Sequence, residues 1–263
     1  MPELPEVETV RRYVEGRALG QRVMAVEVLD DRMLQGPRDL ADRSVGREIK
    51  GTARHGKNLF LDLGHGLLHI HLGMSGDLRY LEELEASIPH QRLRLRLERG
   101  SLVLDDPRRF GRFGWVPSVS DLVTSAGLGP DALSVSGEEF VARIKGRRGA
   151  IKPLLLDQHL LAGVGNLYAD EVLFQERLPP TIPARCLSQE DLEGLGCSVR
   201  RVLGASIEVG TDLERLPSGY LLRQRVSGGP CPRCGAILLA RKVGGRTTIF
   251  CPECQVNAPG SGC

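Results

Sequence analysis

Pro2 and Glu3 open the chain, and Cys231-x2-Cys234 and Cys251-x2-Cys254 stand near its other end. Removal of Met1 ahead of a small residue leaves Pro2 as a free secondary amine. A terminal amine titrates at about 7.7–8.0, against about 10.4 for lysine, so near neutral pH an appreciable share is unprotonated without any tuning. Such an amine attacks an aldehyde-level carbon, and the iminium that forms draws electrons from that carbon and favours elimination beyond it. Taken alone, Pro2 and Pro5 equally suit a rigid terminus ahead of a helix. The four cysteines form two pairs with sixteen residues between Cys234 and Cys251. Each pair suits a tight knuckle, helped by Pro232, Gly235 and Pro252, and a hairpin that brings the knuckles together makes a four-thiolate zinc site. A disulfide framework is the alternative, and a chain with no signal peptide disfavours it. Cys186, Cys197 and Cys263 fall outside the paired spacing.

At 263 residues, 41% hydrophobic and 26% charged, the chain has room for two or three globular domains. No apolar run reaches the length of a membrane span, and the acidic N-terminal segment lacks a signal-peptide core, so an intracellular, cytoplasmic protein is expected. A net charge of +2 excludes little. The distribution of charge says more. Arg92, Arg94, Arg96, Arg99, Arg108, Arg109 and Arg112 crowd one stretch, Arg143 to Lys152 a second, and Arg215 to Arg246 a third. Alternating arginines on a strand read as a solvated face, and three basic segments beside a zinc module favour a polyanion partner.

These groups need elements to hold them. Pro5, Glu6 and Glu8 suit a first helical turn, and Val7, Val10 and Val14 give the apolar spacing of a helix ending near Gly16–Gly20. Short strands are expected at Val23–Leu29, Asn58–Leu63, Leu67–Leu72, Leu78–Leu81, Leu93–Glu98, Leu102–Leu104 and Arg112–Val116. Residues 117–137, rich in Ser, Gly and Pro, read as a linker. Helices are then expected at Glu138–Lys145, Ile151–Asp157, Asn166–Gln175 and Ser188–Ile207, and a zinc hairpin over 226–258. The glycines of the turn from Leu161 to Asn166 expose backbone N–H groups at a helix start, a good seat for a phosphate. The last few residues are expected to lack order. The reading is an α+β chain in three parts: an antiparallel β-sandwich domain over 1–130, a helical domain over 131–225, and a zinc finger with its tail over 226–263.

PELPEVETVRR at 2–12, HLGMSG at 71–76, DDPRRFG at 105–111, AGVGNLYADE at 162–171 and the four-cysteine finger together resemble formamidopyrimidine-DNA glycosylase, in unbroken order over essentially the whole chain. The resemblance implies an N-terminal β-sandwich with flanking helices, a helix–two-turns–helix DNA-binding domain and a zinc-finger β-hairpin. It also implies an enzyme of base excision repair that acts as a monomer on double-stranded DNA containing oxidised bases or abasic sites. Such an enzyme removes oxidised purines through a Schiff base and then cleaves the strand by β,δ-elimination.

Residue by residue, Pro2 matches the nucleophile and Glu3 the proton carrier. Lys57 matches a β-strand lysine near the lesion phosphate, and it is one of only five lysines among 35 basic residues. His71 matches a phosphate contact, although His69 and His71 also read as ordinary same-face strand residues. Met74, Arg108 and Phe110 match the trio that fills the gap left by an extruded base, whereas their types alone would place Met74 and Phe110 in a core. Lys152, Asn166 and Arg246 match further phosphate contacts. One Zn2+ held by Cys231, Cys234, Cys251 and Cys254 would be structural, because no ligand position is open to water.

Two departures stand out. Only twenty residues separate Gly210 from Cys231, so the loop that the family closes over the extruded base looks truncated. The stretch from Arg223 to Val226 also lacks the family's phosphate-contacting tyrosine. Two other functions fit parts of the pattern. An endonuclease VIII-like enzyme for oxidised pyrimidines is disfavoured by Leu4 and the PRRFG stretch, and a catalytically silent zinc-finger DNA-binding protein by Pro2 and Glu3.

Overall fold

The computed structural model describes residues 1–83 and 86–256; Cys263 and the rest of the terminal tail lie outside the described residues. The chain divides into two compact units, Met1–Gly127 and Leu128–Cys263.

In the first unit, helix α1 (Leu4–Ala18) buries Leu4, Val7, Val14 and Ala18, the face that the valine spacing predicts. Two sheets follow. One has the order β1 (Val23–Val28), β7 (Gln91–Leu97), β8 (Ser101–Asp105) and β6 (Asp77–Leu81). The other has the order β2 (Leu34–Gln35), β9 (Arg112–Val116), β5 (Leu67–His71), β4 (Asn58–Asp62) and β3 (Gly51–His55). Neighbouring strands run antiparallel except β2 and β9. Leu59, Leu61, Leu68, Ile70 and Phe113 of one sheet share a core with Leu93, Leu95, Leu97, Leu102 and Leu104 of the other. This is the expected sandwich.

Besides the two-residue β2, which carries no strand pattern, three features differ from the sequence reading. Strand β3 escapes it because Gly51, Thr52, Ala53, Arg54 and His55 have no apolar alternation, and all five are half-buried at a sheet edge. Helices α2 (Leu40–Ser44) and α3 (Val119–Ser125) occupy stretches with no helical signal, the latter inside the expected linker and capped by Ser118. The β7 arginines are not a solvated face. Arg92 and Arg94 are buried, Arg92 donating to the Asp106 carbonyl at 2.9 Å and Arg94 to the Gln91 side chain and the Ala86 carbonyl. Arg96 pairs with Glu27. These cations are consumed by their own chain.

The second unit holds α4 (Gly137–Ile144), α5 (Ile151–Leu156), α6 (Asn166–Gln175) and α7 (Gln189–Glu208), with α7 packed on α4 and α6. Ser188 caps α7 in a reciprocal box with Asp191. Strands β10 (Leu239–Val243) and β11 (Arg246–Phe250) form an antiparallel hairpin. Its two-residue turn, Gly244 and Gly245, has positive φ at both positions, as the right-handed strand twist requires. No described helix is long and apolar enough to cross a membrane.

Candidate active site and nucleic-acid-binding elements

Helix α1 presents Pro2 and Glu3 at its start. Glu3 is the N-cap, and it forms a reciprocal pair with Glu6: each carboxylate accepts the other residue's backbone N–H, that of Glu3 reaching Glu6 at 2.8 Å. The helix-terminal role expected of Glu6 is thus shared by Glu3, whose side chain is held in place by it and which is only 3% exposed. Pro2 is half-buried just outside the cap, and Met1 is 55% exposed, so Met1 can leave without disturbing the fold.

Further along α1, buried Glu8 accepts from Arg11, Arg12 and Arg54 at 2.9–3.2 Å. Burial pushes its carboxyl up, but hydrogen bonds from Arg11 and Arg12 and the charges of Arg11 and Arg54 overcome this and bring it down to about 2. The Arg54 link fastens α1 to β3, the strand that leads into Lys57. Motif reading missed this pair because Glu8 and Arg54 look like two more surface charges.

Lys57 is not a strand residue. It is the second residue of the two-residue turn joining β3 to β4, where Gly56 supplies the positive φ of 56°. The next residue, Asn58, pairs with His71 across β4 and β5, so Lys57 and His71 share one end of the sheet. Burial, then the charges of Lys57 and Arg112, hold the His71 imidazole below its ordinary value. His71 Nδ1 accepts the Gly73 N–H at 3.1 Å, which leaves Nε2 to carry the proton of the neutral ring. A cation and a ring N–H donor at one strand end make a seat for a phosphate oxygen. His69, on the same face of β5 as His71, is buried against Phe60 with Nε2 2.9 Å from Asn58 Oδ1; burial and then His71 bring its pKa down to about 4.

Met74 and Phe110 are not core residues. They are 37% and 47% exposed, on the two connections that cross between the sheets, β5 to β6 and β8 to β9. The Arg108 guanidinium lies 5.0 Å from the centroid of the Phe110 ring. Arg109 between them adopts a left-handed backbone, φ 61°, and points aside to Asp30 at 3.4 Å. Two large apolar tips with a guanidinium beside them suit insertion into a base stack.

In the second unit, Gln158 staples the turn before α6, donating to the Leu156 and Val164 carbonyls and accepting the Gly163 N–H, each at 2.9 Å. Asn166 begins α6, and its amide donates to the Thr247 carbonyl at 3.0 Å, joining that helix start to β11. Lys152 departs from expectation. It is 0% exposed, with Nζ 2.7 Å from Asp170 Oδ1 and 2.6 Å from Thr248 Oγ1. Its charge is neutralised inside the unit, so the expected phosphate contact gives way to a tie between α5, α6 and β11. Asp170 Oδ2 also accepts from Arg225 and from the Ile249 N–H. Arg246, by contrast, is exposed at the hairpin turn. The segment ahead of the finger is anchored at Leu216, Tyr220, Leu221 and Leu222, which are buried, and the Leu222 N–H donates to Glu171 at 2.8 Å, while most of the other residues between Gly210 and Cys231 are exposed.

The four paired cysteines are free of disulfides, and their Sγ atoms all lie within 4.8 Å of one another. A tetrahedral zinc with Zn–S near 2.3 Å separates its sulfurs by roughly 3.8 Å. The Cys231–Cys254 and Cys234–Cys251 separations are 3.9 and 3.5 Å. Backbone N–H groups of Arg233 and Cys254 point at the first sulfur of each knuckle. The geometry fits one structural zinc.

Comparisons with known proteins agree with this arrangement. Residues 1–113 match the formamidopyrimidine-DNA glycosylase N-terminal domain, 127–217 the H2TH domain of the same glycosylase, and 228–256 the zinc finger found in FPG and IleRS. The formamidopyrimidine-DNA glycosylase of Thermus thermophilus is 41% identical, over 98% of this chain and 100% of its own length. That of Stutzerimonas stutzeri is 37% identical over 97% and 100%. A Lactococcus lactis FPG variant in complex with Fapy-dG-containing DNA superimposes with a TM-score of 0.88 at 33% identity, covering 97% of this chain and 100% of that one. The Lactococcus lactis protein bound non-covalently to DNA containing an abasic site gives 0.89 at 32% identity, with the same coverage.

Proposed function

The chain belongs to the formamidopyrimidine-DNA glycosylase family, and on that premise we propose that it is a bifunctional glycosylase and abasic-site lyase that removes oxidised purines from double-stranded DNA. The observation that carries the reading furthest is the exposure of Met74 and Phe110 on adjacent connections with Arg108 beside them. A folding core gains nothing from large apolar side chains in water, whereas a duplex that has lost a base from its stack gains a filler.

In this reading Met74, Arg108 and Phe110 enter the duplex as the damaged nucleotide swings out. Lys57 and His71 in one unit, and Asn166 and Arg246 in the other, hold backbone phosphates. The Pro2 nitrogen, freed of Met1, attacks C1′ of the extruded nucleotide. The bond from C1′ to the base breaks, the base leaves with a proton, and Glu3 moves protons between the sugar and the leaving group. The C1′–O4′ bond then opens with transfer of a proton from Glu3 to O4′, and the iminium so formed at C1′ acidifies the hydrogen on C2′, whose loss expels the 3′ phosphate. A second elimination expels the 5′ phosphate and leaves a one-nucleotide gap. Zinc stabilises the finger and takes no part in these steps.

The anchored segment ahead of the finger bears on substrate range. With only twenty residues between Gly210 and Cys231, and with Leu216, Tyr220, Leu221 and Leu222 among them buried, little chain is left to close over an extruded base and read it. Each hydrogen bond missing there removes roughly 1–2 kcal/mol of selectivity, or about 5–30-fold. The enzyme therefore accepts formamidopyrimidines, 8-oxoguanine and further-oxidised purines at similar rates. It acts as a monomer, in the cytoplasm.

Single-turnover excision across a panel of purine and pyrimidine lesions in one duplex tests the reading. Release of oxidised purines at comparable rates, followed by strand cleavage, is the expected result. Activity confined to oxidised pyrimidines, or none on any lesion, contradicts the function. A preference for 8-oxoguanine of several hundredfold over the other oxidised purines contradicts the broad range.

A further inference from the structure

Asp106 opens the β8–β9 connection that carries Arg108 and Phe110, and faces the β5–β6 connection that carries Met74. It is 0% exposed, and the donors around it come from both connections. Its Oδ1 accepts the Ser75 hydroxyl at 2.6 Å, next to Met74, and the Arg108 N–H at 3.3 Å. Its Oδ2 accepts the Gly111 N–H at 2.8 Å, just past Phe110. The Asp106 backbone is itself fixed, donating to the His90 carbonyl at 3.0 Å and accepting from Arg92 Nε at 2.9 Å.

From this geometry we propose that Asp106 is a positioning residue that locks the two connections into one rigid wedge, so that Met74, Arg108 and Phe110 enter the duplex together. The inference rests on the proposed glycosylase reading. Three donors converge on two carboxylate oxygens, an arrangement that only an acceptor on both sides satisfies. An amide would turn an N–H2 toward the Gly111 N–H or toward the Arg108 N–H, and one of these two backbone donors would lose its acceptor. Stiffness has a use here. A loop that must order itself while displacing a stacked base loses conformational entropy at that moment, and a wedge ordered beforehand does not. The left-handed backbone of Arg109 adds to the shape, turning that side chain to Asp30 and leaving Arg108 and Phe110 on the exposed side.

The test uses the full zinc-loaded chain with Asp106→Asn and, as a milder variant that removes one bond only, Ser75→Ala. Each is assayed on two duplexes: 8-oxoguanine opposite cytosine, where a paired base must be displaced, and a preformed abasic site, where none remains. A fluorescent base analogue beside the lesion reports insertion directly. Asp106→Asn is expected to slow both the fluorescence change and 8-oxoguanine excision by about tenfold or more, the effect of one lost charge-assisted hydrogen bond. Ser75→Ala slows both in the same sense by less, and abasic-site cleavage by either variant stays within about threefold of the parent, since insertion is little needed there. In the parent, Met74→Ala and Phe110→Ala combine less than multiplicatively, and in the Asp106→Asn background they multiply. Equal losses on both duplexes, or no loss on either, overturn the proposal. Absence of cleavage on both duplexes by the parent chain overturns instead the functional reading beneath it.

Discussion

Gly73 and Phe110 meet backbone to backbone: a Cβ built on Gly73 would stand 2.4 Å from the Phe110 carbonyl carbon. No real side chain occupies that space, and Gly73 also has a φ of 65°. The glycine ahead of Met74 is therefore required for the two connections to lie against each other.

Gly73→Ala should cost about 2–4 kcal/mol, from left-handed backbone strain together with overpacking against an unyielding neighbour. Chemical denaturation gives the loss, and 8-oxoguanine excision should fall further than the unfolded fraction explains. A stability within about 0.5 kcal/mol of the parent, inside the usual scatter for surface changes, would contradict the packing.

Glu3→Gln should abolish base excision while preserving DNA binding. The amide keeps one oxygen to accept the Glu6 N–H, so the start of α1 survives with a stability change below about 1 kcal/mol, yet it carries no titratable proton. Normal excision by this variant would remove Glu3 from the mechanism, and lost binding would make it a structural residue only.

How much was legible in the sequence follows from where each signal lies. Helix α6 falls at Asn166–Gln175, as expected, because a glycine turn opens it and strong apolar residues stand on both sides of Asp170 and Glu171. The Leu93, Leu95 and Leu97 alternation placed the core face of β7 correctly. The same alternation misled on Arg92 and Arg94, because a period of two says which residues share a face but not what covers it. Met74 and Phe110 carry core-type side chains, and only the resemblance to a family, then their exposure, set them apart. Glu8 with Arg54, and Asp106 with Ser75, are partners far apart in sequence that no local pattern joins. Lys152 matched a motif position, but its burial depends on Asp170 and Thr248, which arrive from another helix and from the hairpin.

Zinc removal should spread beyond the finger. Cys231, Cys251, Leu238 and Ile249 form one core cluster with Phe174 of α6 and with Leu221, and Arg233 donates to the Phe174 carbonyl at 2.9 Å. Chelation or Cys251→Ser should therefore loosen α6 along with the hairpin, while Met1–Gly127 keeps its protection, because metal affinity is the folding energy of such a module. Hydrogen exchange separates the regions. Unchanged protection of α6 in the zinc-free chain would show that the finger folds and unfolds on its own.

Acid should weaken the fold in two windows. His69 titrates at about 4 in the folded chain against 6.5 when unfolded, so between those values the unfolded chain binds the extra proton and stability falls as the pH drops, by about 1.4 kcal/mol per unit at most. Glu8, brought down to about 2 from 4.5, adds a loss only below pH 4.5. His69→Gln should make the curve shallower between pH 6.5 and 4, leaving the share that belongs to His71, whose imidazole is also held down, and should leave the lower window in place. An unaltered slope between pH 6.5 and 4 would mean that His69 is not the group responsible.

The central claim is that the Pro2 nitrogen forms the covalent link to DNA. Sodium borohydride added during turnover on an 8-oxoguanine duplex should reduce the iminium to a stable adduct, and peptide mapping should place the crosslink on a peptide beginning at Pro2. A crosslink on Lys57, or strand cleavage with no trapped adduct, would contradict the account.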